Sequence, residues 1–216
     1  EQSVNYSRLW QLAAASAVLL AILFYWNRKL GLLNNQLKQV NQRLSYLSIT
    51  DELTGLGNRN YLSQVFKEYQ QECYQQCRFF AVALIDADHF KRINDHHGHH
   101  MGDQCLKALA NIMQKQFNHP EDHLVRFGGE EFIVLTSGLD YQQLCQRLDL
   151  LRHEVSRHPV QGVYGELHFT VSIGALIRYV RPEDNLDLWL NKADSALYEA
   201  KGSGRNRLVL YQESDA

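Results

Sequence analysis

The strongest constraint on the fold lies between residues 124 and 135. Two short apolar runs, Leu124-Val125 and Ile133-Val134-Leu135, are joined through Arg126-Phe127-Gly128-Gly129-Glu130-Glu131-Phe132. A Gly-Gly pair between apolar runs predicts a β-hairpin, because glycine accepts the positive φ angles of tight turns. A strand can then place Glu130 and Glu131 on opposite faces. Upstream, Phe79-Phe80-Ala81-Val82-Ala83-Leu84-Ile85 is a near-continuous apolar run that ends in Asp86-Ala87-Asp88. Such a run predicts a strand buried on both faces. If it pairs beside the hairpin, Asp86, Asp88, Glu130 and Glu131 converge at one end of a sheet. Carboxylates grouped near a lysine suit Mg²⁺ held by one or two side chains plus substrate phosphates. Taken singly, each piece also reads as a solvated hairpin tip or a pair of turn-forming aspartates.

The N-terminal part is organised differently. Leu9 to Trp26 contains no charged residue and, as a helix, spans about 27 Å, near the thickness of a bilayer's hydrocarbon core. Trp10 and Trp26 fit interfacial positions, and Arg28-Lys29 against Arg8 predicts that the C-terminal side is cytoplasmic. No small-residue cleavage site follows, which argues against a signal peptide. Next come Leu30, Leu33, Leu37, Val40, Leu44 and Leu47, spaced 3-4-3-4-3, a heptad seam for a two-stranded coiled coil. One continuous helix entering a parallel dimer stalk is expected. The expected division is 1–8 as a periplasmic-side remnant, 9–26 transmembrane, 27–49 stalk, 50–211 catalytic and 212–216 tail. The first residue is Glu1, so an upstream segment is expected as well.

Residues 50–58 are rich in glycine and turn formers and read as a hinge. Helices are expected from Arg59 to Gln76, over a short stretch after Asp88, from Gly102 to Phe117, from Tyr141 to His158 and from Leu186 to Lys201, with Gly202 as the cap of the last. Phe169–Ile177 and 208–211 read as strands. Helices interleaved with strands around a hairpin predict an α/β fold. Cys73 and Cys77 continue the stripe of Leu62, Phe66 and Tyr69 and are expected to be buried. With no CxxC pairing among four cysteines, free thiols are expected. A formal net charge of −2 over 216 residues implies no bulk attraction to nucleic acid.

Five stretches in order carry a resemblance: Asp51-Glu52-Leu53-Thr54-Gly55-Leu56-Gly57-Asn58-Arg59, Asp86 to Asp95, Gly98-His99-His100-Met101-Gly102-Asp103, Gly128 to Phe132, and Ala193 to Asn206. Together they resemble the GGDEF-domain diguanylate cyclase family, in a GGEEF variant, over about residues 50 to 211. The resemblance implies a five-stranded central sheet flanked by helices, akin to nucleotidyl cyclase and polymerase palm folds, here preceded by the transmembrane helix and stalk. It implies condensation of two GTP into cyclic di-GMP, with two Mg²⁺ (or Mn²⁺) per half-site, in a homodimer anchored by a single pass in a bacterial inner membrane. It places metal ligation on Asp86, the Ala87 carbonyl, Glu130 and Glu131, with Glu130 also at the general-base position. It places guanine recognition on Asn94 and Asp103, a base-pocket wall on Phe90, and phosphate contacts on Lys91, Lys201 and Arg205.

Alternatives remain for some of these. Asp103 could cap a helix starting at Gln104, Lys201 could be a basic C-terminal turn, and Arg126 reads as a hairpin residue only. His89, His96, His97, His99 and His100 have no interleaved cysteine and no zinc-site spacing. Many relatives carry an Arg-x-x-Asp product-binding motif before the hairpin. Here it reads His119-Pro120-Glu121-Asp122. Histidine lacks arginine's bidentate fork, so weak or absent product inhibition is expected. The alternative reading of the whole is a non-catalytic nucleotide-binding receptor. Intact Asp86, Asn94, Asp103, Glu130 and Glu131 argue against it, and Asp103 argues against a cyclase selecting adenine.

Overall fold

A computed structural model describes residues 6–47, 49–162 and 165–212. The outermost residues of the expected N-terminal remnant (1–5) and of the tail (213–216) lie outside them. Contacts divide the chain into two units, Glu1–Ser48 and Ile49–Ala216.

The first unit is one continuous helix, α1 (Tyr6–Leu47). Its stretch Trp10–Gln36 is long and apolar enough to cross a membrane, and its large side chains, among them Trp10, Leu19, Leu23 and Trp26, are exposed. Trp26 lies beneath the Lys29 ammonium and against Tyr25. Of the expected heptad seam, Leu30 and Leu33 are exposed, whereas the side chains of Leu37, Val40, Leu44 and Leu47 lie outside the described residues.

The second unit begins with a turn. Thr50 bridges to Gly57, and Gly57 pairs with Val125. Helix α2 (Arg59–Gln76) starts where the Asn58 side chain accepts from the amides of Asn60 and Tyr61. It buries Leu62, Val65, Phe66 and Cys73 and ends at Cys77 in the left-handed region, φ 50°. Cys77 is therefore exposed at the helix end, contrary to the expectation that it continues the buried stripe. Strand β1 (Phe79–Ala87) follows, then α3 (Phe90–His97) and α4 (His99–Gln116). The hairpin is β2 (His123–Gly128) and β3 (Glu131–Ser137). Helix α5 (Tyr141–Arg157) opens with a capping box between Asp140 and Gln143. A small hairpin, β4 (Val160–Gly162) and β5 (Gly165–Leu167), precedes β6 (Val171–Tyr179), α6 (Leu186–Gly202) and β7 (Leu208–Leu210).

The main sheet has the order β2-β3-β1-β6-β7, antiparallel except for the β6–β7 pair. Strand β1 is central, which explains its unbroken apolar run: each face needs a covering layer. Helices α4 and α5 cover one face through Leu106, Leu109, Met113, Leu144, Leu148 and Leu151. Helices α2 and α6 cover the other, where Trp189 meets Phe80 edge-on at 5.1 Å. Gly174 allows α6 to sit directly on β6, since a Cβ there would lie 2.1 Å from the Leu197 nitrogen. Glycine 202 does not cap α6; the helix runs through it to Ser203. The β4–β5 hairpin was not legible in the sequence, because three-residue strands carry almost no periodicity.

Candidate active site

The end of β1 and the hairpin turn build the acidic centre. Asp86 is directly opposite Glu131 in the β1–β3 register. Glu130 occupies the turn itself and accepts the Ala87 amide on its carbonyl at 3.3 Å. Alternation along a strand therefore does not separate the two glutamates: one is in the turn and the other opens β3. Of the two glycines, Gly129 takes the positive φ, 48°. Burial raises the Asp86 carboxyl pKa, and the Glu130 and Asp88 carboxylates add to the rise, while Lys201 opposes it with Nζ 2.8 Å from Oδ2. Glu131 is raised by desolvation and then by Asp86, with Lys201 opposing. Lys201 thus belongs to the acidic centre and is more than a solvated C-terminal turn.

Asp88 does not join this group. Its carboxylate accepts from the Thr170 hydroxyl at 2.6 Å, the Ser172 hydroxyl at 2.7 Å and the Asn206 amide at 3.1 Å. It ties β1 to β6 and to the loop after α6, where Arg205 and Asn206 both have positive φ.

A second feature lies between α3 and α4. Asn94 Oδ1 is buried and has no hydrogen-bond partner among the described residues. It sits against Gly102, where a Cβ would lie 2.1 Å from Oδ1 and 3.0 Å from Phe90 Cζ. Phe90 is buried at the start of α3. Helix α4 begins at His99 with Gly98 as its N-cap. Asp103 is therefore inside the helix, and the capping alternative for it does not hold. Lys91 is exposed one residue after Phe90, and Arg205 is half-buried after α6.

Arg126 proves to be more than a hairpin residue. Its Nε and one terminal nitrogen donate to the Gly129 carbonyl at 3.1 and 2.8 Å. The other terminal nitrogen donates to both oxygens of Asp51 at 3.2 Å. Burial pushes the Asp51 carboxyl up, but the Thr54 hydroxyl and amide and the Arg126 guanidinium together hold it below the usual range. The turn that opens the domain is thus pinned to the turn that carries Glu130. The available signal was an arginine two residues before the glycine pair and an aspartate in an otherwise turn-rich stretch.

His119 and Asp122 flank a cavity of 530 Å³ beside the hairpin. Asp122 is fully engaged: Arg147 donates at 2.6 Å, the Thr136 hydroxyl at 2.6 Å and the His119 amide at 3.0 Å. The Arg147 guanidinium also lies over the Phe117 ring.

The oxygen donors of Asp86, Ala87, Glu130 and Glu131 are of the hard type that Mg²⁺ takes. Mutual repulsion among these carboxylates, offset by a single lysine, fits a cation. No three His, Cys, Asp or Glu side chains among the described residues are gathered tightly enough to hold an ion by themselves.

The site is thus a five-stranded sheet whose β2–β3 hairpin, at one edge, presents acidic residues beside the end of the central buried strand. The family model described as "Diguanylate cyclase, GGDEF domain" matches residues 48–207, and the chain belongs to that family. It is 37% identical over 165 residues to the probable diguanylate cyclase DgcT of Escherichia coli K12, covering 74% of this chain and 35% of that protein. It is 37% identical over 161 residues to the diguanylate cyclase DgcP of Pseudomonas aeruginosa, covering 74% of this chain and 24% of the relative. The chain thus matches about a third and a quarter of the lengths of these relatives. The crystal structure of the GGDEF domain of DgcB from Caulobacter crescentus in complex with c-di-GMP aligns with a TM-score of 0.72 at 30% identity, covering 77% of this chain and 97% of that one. Diguanylate cyclase SiaD from Pseudomonas aeruginosa, in complex with its activator SiaC, aligns with a TM-score of 0.71 at 30% identity, covering 97% and 79%.

Proposed function

We propose that this chain is a diguanylate cyclase that condenses two GTP into cyclic di-GMP and two pyrophosphates. The observation that carries guanine selection is the buried, unpartnered Asn94 oxygen beside Gly102. A buried acceptor without a donor costs about 1–3 kcal/mol unless a ligand supplies one. Guanine offers N1–H and N2–H₂ along one edge, and Asp103 provides a second acceptor. Adenine has neither the N1–H nor the 2-amino group. Phe90 forms an apolar wall for the base.

In this reading each 3′-hydroxyl attacks the α-phosphate of the other nucleotide, forming a P–O bond and releasing pyrophosphate. Lys91, Lys201 and Arg205 hold phosphates, since cations positioned on a transferring phosphoryl group stabilise its charge. Asp86, the Ala87 carbonyl, Glu130 and Glu131 would hold two Mg²⁺ or Mn²⁺ ions per half-site. When bound, these supply Lewis-acid polarisation of the phosphate and acidify the attacking hydroxyl. In this reading Glu130 takes the hydroxyl proton. Lys201, which donates to Asp86 in the free chain, is then shared with phosphate, because its ammonium carries three N–H donors.

The active form is a homodimer joined along 27–49, since each domain holds one GTP. Helix α1 anchors it in a bacterial inner membrane by a single pass with the catalytic domain cytoplasmic, and stalk packing adjusts output. Product inhibition at His119 and Asp122 is weak, because Arg147 and Thr136 already engage Asp122 and His119 offers no guanidinium fork.

Equilibrium binding of GTP and ATP to wild type and Asp103→Ala tests the assignment. The expected result is tight binding of GTP over ATP, with the preference lost in the variant. Equal binding of both nucleotides by wild type would refute it.

A further inference from the structure

The sheet has two edges, and among the described residues one of them is covered and the other is not. At β2 the opening turn lies alongside: the Gly57 amide donates to the Leu124 carbonyl and the Arg126 amide to the Gly57 carbonyl. At the other edge, β7 pairs with β6 alone. The Ile173 amide donates to the Arg207 carbonyl and the Tyr211 amide to the Ala175 carbonyl. In a parallel ladder with that register, Val209 turns its N–H and C=O toward β6, and Leu208 and Leu210 turn theirs outward. They face a groove of 610 Å³, walled by Tyr141 and Asp149 on α5 and by Ser195 and Glu199 on α6. Outward-facing strand groups over a roomy groove are a template for another strand.

We propose that this groove is a docking site for an extended basic segment of another protein, added to the sheet as a sixth strand beside β7. Charge selects the occupant. Among the described residues the lining holds two acids, Asp149 and Glu199, and no lysine or arginine; Lys192 lies outside it, over the ring of Tyr211. Asp149 shares one oxygen with Arg152 at 3.1 Å and remains half exposed. Helices α5 and α6 cover opposite faces of the sheet. Successive side chains of an added strand alternate between those faces. Two consecutive basic residues would therefore reach Asp149 and Glu199, one on each side. Backbone hydrogen bonds to Leu208 and Leu210 supply affinity, and the basic pair supplies specificity. A second copy of this chain, paired edge to edge, would bring like charges together. The chain's own tail after Gln212 carries Glu213 and Asp215 and has the wrong sign.

The test uses the full chain in detergent and a short synthetic peptide, Val-Thr-Lys-Arg-Val-Thr. Controls are the same scaffold with Glu-Glu at the centre and an N-methylated version that cannot pair. The expected result is binding of the Lys-Arg peptide alone, with slowed hydrogen exchange at the Leu208 and Leu210 amides. Leu210→Pro removes an outward donor without touching the bonds to β6 and should weaken binding about tenfold or more. The surface variant Asp149→Lys with Glu199→Lys, which leaves β7 intact, should weaken it about as much. Three outcomes would overturn the proposal: no binding by wild type, binding of all three peptides alike, or binding that survives the double charge reversal. Concentration-dependent protection of the same amides without peptide would also overturn it, by assigning the edge to a second copy.

Discussion

Gly102→Ala separates the site from the fold. The new Cβ would lie 2.1 Å from Asn94 Oδ1 and 3.0 Å from Phe90 Cζ. Nonbonded heavy atoms settle near about 3.5 Å, so the asparagine amide must move by more than about 1 Å. It is the end of a flexible side chain, so the backbone can stay in place. Gly102 lies within α4 with no positive φ, and alanine there gains up to about 1 kcal/mol of helix propensity. The nucleotide loses the acceptor that Asn94 presents. Leaving a guanine donor unsatisfied costs about 1–3 kcal/mol, or roughly 5- to 150-fold in affinity. The expected signature is an unchanged or higher Tm with GTP binding weakened in that range, measured by thermal unfolding and calorimetric titration. GTP affinity equal to wild type in a folded variant would refute the placement of the base beside Asn94.

Other consequences follow from single contacts. A double-mutant cycle of Asp51→Asn and Arg126→Met should show a coupling of about 1 kcal/mol in urea unfolding, with kcat falling more than GTP affinity because the Gly129 carbonyl loses its anchor. Half-buried His123 shares a hydrogen bond between its Nδ1 and the Tyr61 hydroxyl at 2.8 Å, and desolvation lowers its pKa despite Asp122, Glu121 and Glu68 nearby. The unfolded chain therefore binds this proton more readily, so stability should fall as pH drops below about 6.5 toward the folded value; urea midpoints against pH for wild type and His123→Gln check this, and the variant should lose that part of the slope. Gly174→Ala drives a Cβ into the backbone of α6 at Leu197 and Ala193 and should cost about 1–3 kcal/mol or more, read as a lower urea midpoint.

The elements that carried strong periodicity were legible in the sequence. The central strand announced itself as an unbroken apolar run, and the inward residues of α4 and α5 followed their 3–4 spacing into the core. Ends were less legible. Helix α4 starts at His99 because Gly98 supplies the cap, while the apolar pattern begins only at Met101. Cys77 satisfied the periodicity yet fell where α2 had already turned out of helix. In the site, pairing of Asp86 with the hairpin was foreseeable from two acidic ends of apolar strands. The commitment of Asp88 to Thr170, Ser172 and Asn206 was not, because all three partners lie more than 80 positions away. A separation of 75 positions likewise hid the Asp51–Arg126 clamp, which leaves no periodic trace.

The most direct measurement is the product of GTP turnover. Purified chain, in detergent with GTP and Mg²⁺, is assayed by ion-exchange chromatography alongside Glu130→Gln, over a range of protein concentrations. The expected result is cyclic di-GMP and pyrophosphate from wild type, at a rate per chain that rises with concentration until the dimer forms, and none from the variant. Folded wild-type protein that binds GTP and yields no cyclic di-GMP at any concentration, or a variant that makes it at the wild-type rate, would contradict it.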